Sequence, residues 1–284
     1  MRRSRKICTL ILTAALVASC CAGCGQESTE LPDLSALGEI TVITREEGSG
    51  TRSEFDSLVD TEEEGANQIA LSTDEVLELV EEDTNAIGYL ALSSLGDTDS
   101  VTVLSVDGVE PTSKTISNGK YPLCRQYMLA YSGELSELES DFITYVQGAG
   151  QAIVEDYCTP IGDAVTFLSN EEEGTITISG SSSVAPLIEE LAEDYYTYNP
   201  NAVIEITVSD STEGLNEAMR GECDLAMSSR SLESYEEELL EYEVIAVDGI
   251  AVVVNAESPL TDISMDLLQT IYDGDETQWS ELEE

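Results

Sequence analysis

The chain has 284 residues, with 11 Lys and Arg, 58 Asp and Glu and no His, for a formal net charge of −47. A field of that sign argues against nucleic acid and anionic lipid surfaces as partners. The lack of His removes imidazole general-base and triad chemistry, and neither a Walker-type phosphate loop nor a partnered Cys nucleophile occurs, so an enzyme is not expected.

Residues 1–24 read as a targeting segment and stand outside fold reasoning. Arg2, Arg3, Arg5 and Lys6 form its charged part and Ile7 to Val17 its apolar part, a run too short for a comfortable membrane span. Val17-Ala18-Ser19-Cys20 fits a bacterial lipobox with Cys20 as the lipidated residue; Cys21-Ala22-Gly23-Cys24 is a second candidate, and an ordinary secretory signal is the plain alternative. Residues 25–38 follow as a polar tether. Beyond residue 24 only seven Lys and Arg face the 58 acids.

The remaining ~250 residues are enough for one large domain or two lobes. Short β-branched runs alternate with amphipathic helices, the pattern of an α/β fold with largely parallel sheets. Ile40-Thr41-Val42-Ile43 is the first such run; REEGSGTR (45–52) follows it, and then a helical pattern with Phe55, Leu58 and Val59 on one face. Helices are predicted over Ser72–Glu82, with Ser72 and Glu75 as a capping box, and over Leu135–Val146. Ile176-Thr177-Ile178 leads into SGSSSVAPL (179–187) and a helix over Pro186–Tyr196 with Leu187, Ile188, Leu191 and Tyr195 on one face. Both junctions aim backbone N–H groups, hydroxyls and the positive end of a helix at one point, an arrangement suited to a small oxyanion, and the first adds Arg45. The plain alternative is that Ser49 or Thr51 only caps a helix and that Arg230 pairs with surface acids.

The acidic runs Glu62-Glu63-Glu64 and Glu236-Glu237-Glu238 read as solvated faces. Asp273-Gly274-Asp275-Glu276 lacks the ligand alternation of a calcium loop, and no metal or cofactor is expected. Cys124, Cys158 and Cys223 cannot all pair within one chain; three small buried residues are expected, with a Cys124–Cys158 bridge as the alternative.

At its two Gly/Ser loops the chain resembles the PstS family, the phosphate-binding proteins of ABC importers, with a type II periplasmic-binding fold. The resemblance extends to VSDSTEGLNEAMRGECDLAMSSRSL (208–232), VIAVDGIAVVVN (244–255), AIGYLAL (86–92), VDGVEPT (106–112), NGKYPLCRQY (118–127) and FITYVQGAGQAIVEDY (142–157). In that family the GSSSVAPL-type loop comes first and the GSGTR-type loop near the middle. Here the order is inverted, with a short acidic seam at 169–174, so the resemblance implies a circularly permuted two-lobed domain. Its lobes would be 39–120 with 256–284, carrying GSGTR, and 121–255, carrying GSSSVAPL and the SSR loop. The alternatives are a truncated tandem and a domain swap.

Carried over residue by residue, the family's ligand shell would comprise Arg45, Ser49, Gly50, Thr51, Ser182, Ser183, Ser211, Thr212, Ser229 and Arg230, with Glu47 expected to hold Arg45. Many family members place an Asp where Ser229 stands, to accept the proton of hydrogen phosphate; Asp210 or Asp248 is left to supply that acceptor. The implied function is capture of inorganic phosphate, outside the membrane, by a lipid-anchored protein that serves an ABC permease. The alternative is an oxyanion-sensing or surface interaction module without transport.

Overall fold

The computed structural model describes residues 32–62, 64–96 and 98–282. The targeting segment, Cys20 and Cys24 lie outside the described residues. The elements run β1 (Thr41–Arg45), α1 (Gly50–Val59), β2 (Gln68–Ala70), α2 (Thr73–Glu82), β3 (Ala86–Ala91), β4 (Val101–Val103), β5 (Ser105–Val106), α3 (Ser113–Ser117) and β6 (Cys124–Tyr131). Then follow α4 (Glu137–Gln147), α5 (Gln151–Tyr157), β7 (Gly174–Ser181), α6 (Ala185–Tyr195), β8 (Ala202–Ser209), α7 (Ser211–Arg220) and β9 (Leu225–Ser228). The chain closes with α8 (Ser234–Glu237), β10 (Glu241–Asn255), β11 (Asp262–Ile263) and α9 (Met265–Asp273).

The strand order is β2-β1-β3-β10-β6-β9-β7-β8, with β4 also on β10. The long strand β10 organises the whole. Residues 241–249 pair antiparallel with β6, and 250–255 pair antiparallel with β3 and β4. Parallel wings extend from both sides, β1 with β2 and β3 on one and β7 with β8 and β9 on the other. The sheet is therefore mixed rather than largely parallel, because the two strands at its centre, β6 and β10, run in opposite directions.

Period-two alternation explains why helices cover both faces. Along β10, Ile250, Val252 and Val254 enter one core with Phe55, Val59, Leu268, Ile271 and Tyr272 of α1 and α9. Ala251 and Val253 enter another, against Val76 and Val80 of α2. In the other half, Tyr127 and Leu129 of β6 pack with Phe142, Leu187 and Leu191 of α4 and α6, while Ala130 faces Leu215 and Ala218 of α7. Helix starts follow the sequence closely. Ser72 caps α2 by accepting from the Glu75 N–H, although the Glu75 carboxylate reaches Leu71 N instead of returning to Ser72. Ser136 and Glu139 cap α4 reciprocally.

The two ends of the described chain meet. Ile40 N donates to Thr277 O at 2.9 Å, and Trp279 N donates to Gly38 O at 3.1 Å. Trp279 is buried and its indole N–H donates to Asn85 O at 2.8 Å. Helix α9 packs on α1 beside this junction, and the Asp273 carboxylate accepts from the Thr61 hydroxyl. The seam is exposed over residues 170–174, and Ser169 Oγ and Asn170 N both donate to the Asp141 carboxylate.

The three described cysteines are free thiols; Cys158 is buried, while Cys124 and Cys223 are half-buried. The Cys124–Cys158 alternative fails because the two thiols belong to different cores: Cys124 packs on that of Phe55 and Tyr272 and donates to Tyr121 O, and Cys158 lies in that of Phe142 and Leu187.

Trp279→Ala removes a large side chain from the junction of the two ends and leaves Asn85 O without this donor. Urea unfolding should show a loss of about 3–5 kcal/mol; a loss below about 1 kcal/mol would mean that the closure contributes little.

Candidate functional site

The two Gly/Ser loops meet across a cleft between the halves. Helices α1, α2, α6 and α7 all begin there, and a helix N-terminus leaves N–H groups without intrahelical partners. Thr51 in the first turn of α1, Thr73 at the start of α2 and Ser183 just before α6 share one cluster. Thr51 Oγ1 lies 3.0 Å and Thr73 Oγ1 3.4 Å from Ser183 Oγ. A second cluster joins Ser181, Ser211 and Ser229: Ser181 Oγ donates to Ser229 Oγ at 2.9 Å, and Ser229 N donates to Ser211 Oγ at 3.1 Å. Gly50 sits between the clusters, where an added Cβ would run into the Ser211 and Ser229 hydroxyls. Only glycine permits this approach of backbone to hydroxyl.

Arg45 ends β1 and is 1 % exposed. Its Nη2 donates to Ser182 Oγ at 3.2 Å across the cleft, and Nη1 donates to Thr73 Oγ1 at 3.1 Å. The carboxylate that holds it is Glu46, in a bidentate pair at 2.8 Å through both oxygens, not Glu47. The reason is local. The chain turns at once after β1, with Ser49 N donating to Glu46 O and Gly48 at φ +95°, so Glu46 folds back while Glu47 faces solvent. Arg52 braces the same turn, donating from Nη1 to Arg45 O at 3.0 Å.

Of the other expected residues, Ser49 caps α1, accepting from Arg52 N. Thr212 N donates to Gly48 O across the cleft at 3.2 Å. Arg230 stands one layer back. Glu236 takes its fork in a bidentate pair at 2.8 and 2.9 Å, and its Nη2 reaches Thr212 Oγ1 at 3.3 Å. This corrects the reading of the 236–238 run as a solvated face: Glu236 is fully buried on the inner side of α8. Asp210 caps α7, accepting from Glu213 N.

Arg125 is not among the expected site residues, although it holds two that are, Thr51 and Asp248. Its guanidinium is completely buried; Nη1 donates to Thr51 Oγ1 at 2.6 Å, and Nη2 donates to Tyr127 Oη and Asp248 Oδ2, both at 3.2 Å. Burial works against its charge, but Tyr127 and Asp248 outweigh that and raise its pKa above the ordinary arginine value. Burial likewise pushes the Tyr127 phenol well above its usual value, so it stays protonated and donates to Asp248 Oδ2 at 2.7 Å. Ser93 N donates to the other oxygen, Oδ1, at 3.1 Å. Thr73 is legible in principle: it opens a capped helix after a short β run, as the two Gly/Ser loops do. Arg125 lies within NGKYPLCRQY, a segment that matches the family, and is one of seven cations beyond residue 24, but neither signal assigns it a contact with the site.

The arrangement presents buried hydroxyls, helix N-termini and one guanidinium facing a common point. Such donors can receive a small anion from two sides, without a nucleophile or a general base. Among the described residues no group of His, Cys, Asp or Glu could hold a metal ion.

Buried Arg230–Glu236 generates a prediction. Burial alone would raise the Glu236 carboxyl, yet the hydrogen bonds from Arg230 and Glu233 N outweigh it and hold the pKa below the usual value. A depressed carboxyl contributes stability that is complete above its unfolded pKa and lost as pH falls through the folded one. Glu236→Ala should cost about 3–5 kcal/mol near neutral pH by leaving the cation unpaired. Glu236→Gln should lose less stability than the unaltered protein on acidification below about pH 4. Parallel acid-unfolding curves for the two would refute the assignment.

The chain is similar to known binding proteins. The PBP superfamily domain family matches residues 26–149 and 166–284. The phosphate-binding protein PstS 2 of Streptococcus agalactiae is 35% identical over 297 residues, covering 99% of each chain. PstS 2 of Streptococcus pneumoniae is 36% identical over 272 residues, covering 91% of this chain and 92% of its own. The crystal structure of a phosphate-binding protein of a phosphate ABC transporter from Streptococcus pneumoniae superposes with a TM-score of 0.71 at 35% identity, covering 87% of this chain and all of the other. These relatives are binding proteins, and the chain is not an enzyme. It belongs to the PBP superfamily domain family and, within it, to the PstS-like phosphate-binding proteins.

Proposed function

We propose that the chain captures inorganic phosphate outside the cytoplasmic membrane and delivers it to the permease of an ABC importer, held to the membrane by a lipid on Cys20. The observation that carries this reading is the meeting of two loops from separate cores, Arg45 with Ser182 at 3.2 Å and Thr51 with Ser183 at 3.0 Å. Phosphate would lie between them and accept hydrogen bonds from both sides. Ser49, Gly50 and Thr51 form the α1 side of the shell, Ser182 and Ser183 the α6 side, and Ser211, Thr212 and Ser229 close it at α7. Arg230 supports the shell through Thr212. Because Asp248 is taken up by Arg125, Tyr127 and Ser93, and Asp210 by its helix cap, the acceptors facing the ligand are hydroxyls.

The magnitudes are adequate. Micromolar affinity needs about 8 kcal/mol, and each hydrogen bond to a charged group contributes about 1.5–3 kcal/mol. The strong negative charge of the chain does not forbid this, since salt screens it over about 8 Å while the donors act at contact.

The two lobes of this reading are 39–120 with 256–284, and 121–255, with β10 serving both. In this reading the family's halves are exchanged, and the backbone contacts between Ile40 and Thr277 and between Gly38 and Trp279 would supply the closure that an exchanged domain needs.

Calorimetry should show phosphate bound more tightly than sulfate, molybdate or a phosphonate, with Arg45→Ala at least tenfold weaker and Arg220→Ala nearly unchanged. Equal affinity for the unaltered protein and Arg45→Ala would remove this site. Fatty-acid labelling in cells should vanish in Cys20→Ser and persist in Cys24→Ser. The reverse pattern would move the anchor to Cys24, and label in neither would make the chain a plain secreted protein.

A further inference from the structure

Arg125 is a costly residue in this chain. Of the seven Lys and Arg beyond residue 24 it is the one whose side chain is sealed completely from solvent, and its Nε–H has no partner. A buried cation left in place needs a carboxylate and hydrogen bonds to offset its desolvation. Asp248 supplies the carboxylate, directly opposite on the neighbouring strand in the β6–β10 ladder. Tyr127 Oη and Ser93 N fix that carboxylate in turn. The pair thus stands on the two central strands, just where β10 passes from one half to the other at Gly249–Ile250.

From there the guanidinium reaches forward. Nη1 donates to Thr51 Oγ1 at 2.6 Å and approaches Ser229 O at 3.5 Å, so it touches loops on both sides of the cleft. A guanidinium has donors only. The Thr51 oxygen must therefore accept, and its single hydroxyl proton must point elsewhere. The other hydrogen-bond partner of that oxygen is Ser183 Oγ, 3.0 Å away across the cleft. Either hydroxyl can donate along that contact; with Arg125 taking one lone pair of the Thr51 oxygen, the Thr51 proton is left available on the side of the Ser183 loop.

We propose that Arg125 is a positioning residue for the bound anion, holding Thr51 as a fixed hydrogen-bond donor rather than touching the ligand itself. This rests on the phosphate reading above and adds a residue to it. Asp248 then serves as the anchor of Arg125, not as an acceptor for the ligand. Without Arg125 the Thr51 hydroxyl is free to rotate, and its contribution to binding is largely lost.

The test is a double-mutant cycle read by phosphate calorimetry on the unaltered protein, Arg125→Met, Thr51→Val and the double variant. Each single change should weaken binding by about tenfold or more, and the double variant should be little worse than Thr51→Val alone, because both remove the same hydrogen bond. Losses that simply multiply would overturn the proposal, as a merely structural role predicts. Since Arg125→Met strands a buried carboxylate and can unfold the protein, the cycle is repeated in Asp248→Asn/Arg125→Met, which removes both charges. In that background Thr51→Val should change affinity less than about twofold, against tenfold or more in the native one; equal losses in the two backgrounds would overturn the proposal. An unaltered protein that takes up no phosphate defeats the phosphate reading, and this proposal with it. Phosphate binding with independent losses defeats only the role of Arg125.

Discussion

One strand, β10, is shared by the two halves of the sheet, and the cleft exists because of it. Residues 241–249 belong to the ladder with β6, and 250–255 to the ladder with β3 and β4. The halves are thereby tied along a common backbone while each keeps helices on both faces of its own sheet. Four helices then begin at the same opening, and their first turns carry the hydroxyls of Thr51, Thr73 and Ser211, with Ser183 just ahead of α6. Anion recognition follows from this arrangement: donors that cannot be satisfied within their own helices are collected where two cores face each other.

The charge distribution makes sense on the same terms. The surface is strongly acidic, yet Arg45, Arg125 and Arg230 are buried at or behind the cleft, each with a carboxylate partner, Glu46, Asp248 and Glu236. The site is therefore close to neutral as a set of ion pairs, and attraction for an anion comes from oriented N–H and O–H groups. Bidentate pairing fixes Arg45 and Arg230, and a single contact with Asp248 plus one with Tyr127 fixes Arg125, so that the remaining donors point in a set direction. A buried pair of this kind adds little to stability and much to geometry.

Much of this was legible in the sequence, for identifiable reasons. β1 and β7 are β-branched runs, and the Gly/Ser loops after them could only be junctions to helices, so Arg45, Thr51, Ser182 and Ser183 were in reach of local pattern. What failed was decided by tertiary contacts or by a single turn. Glu46 rather than Glu47 holds Arg45 because the strand ends one residue earlier than a continued alternation would need. Glu236 looks like one acid among three until α8 turns it inward onto Arg230. Arg125 and Asp248 are 123 residues apart and meet only through strand register, which no local motif announces. The free thiols of Cys124 and Cys158 make the same point, since only the packing shows that they occupy different cores.

The central claim is that one phosphate ion is held from both halves at once. A crystal structure of the protein grown with phosphate tests it most directly. The account predicts the phosphorus between Arg45 and Ser182, with oxygens in hydrogen-bond reach of Thr51 on one side and of Ser183 and Ser211 on the other. Phosphate bound to one half alone, or at a site away from these residues, would contradict it.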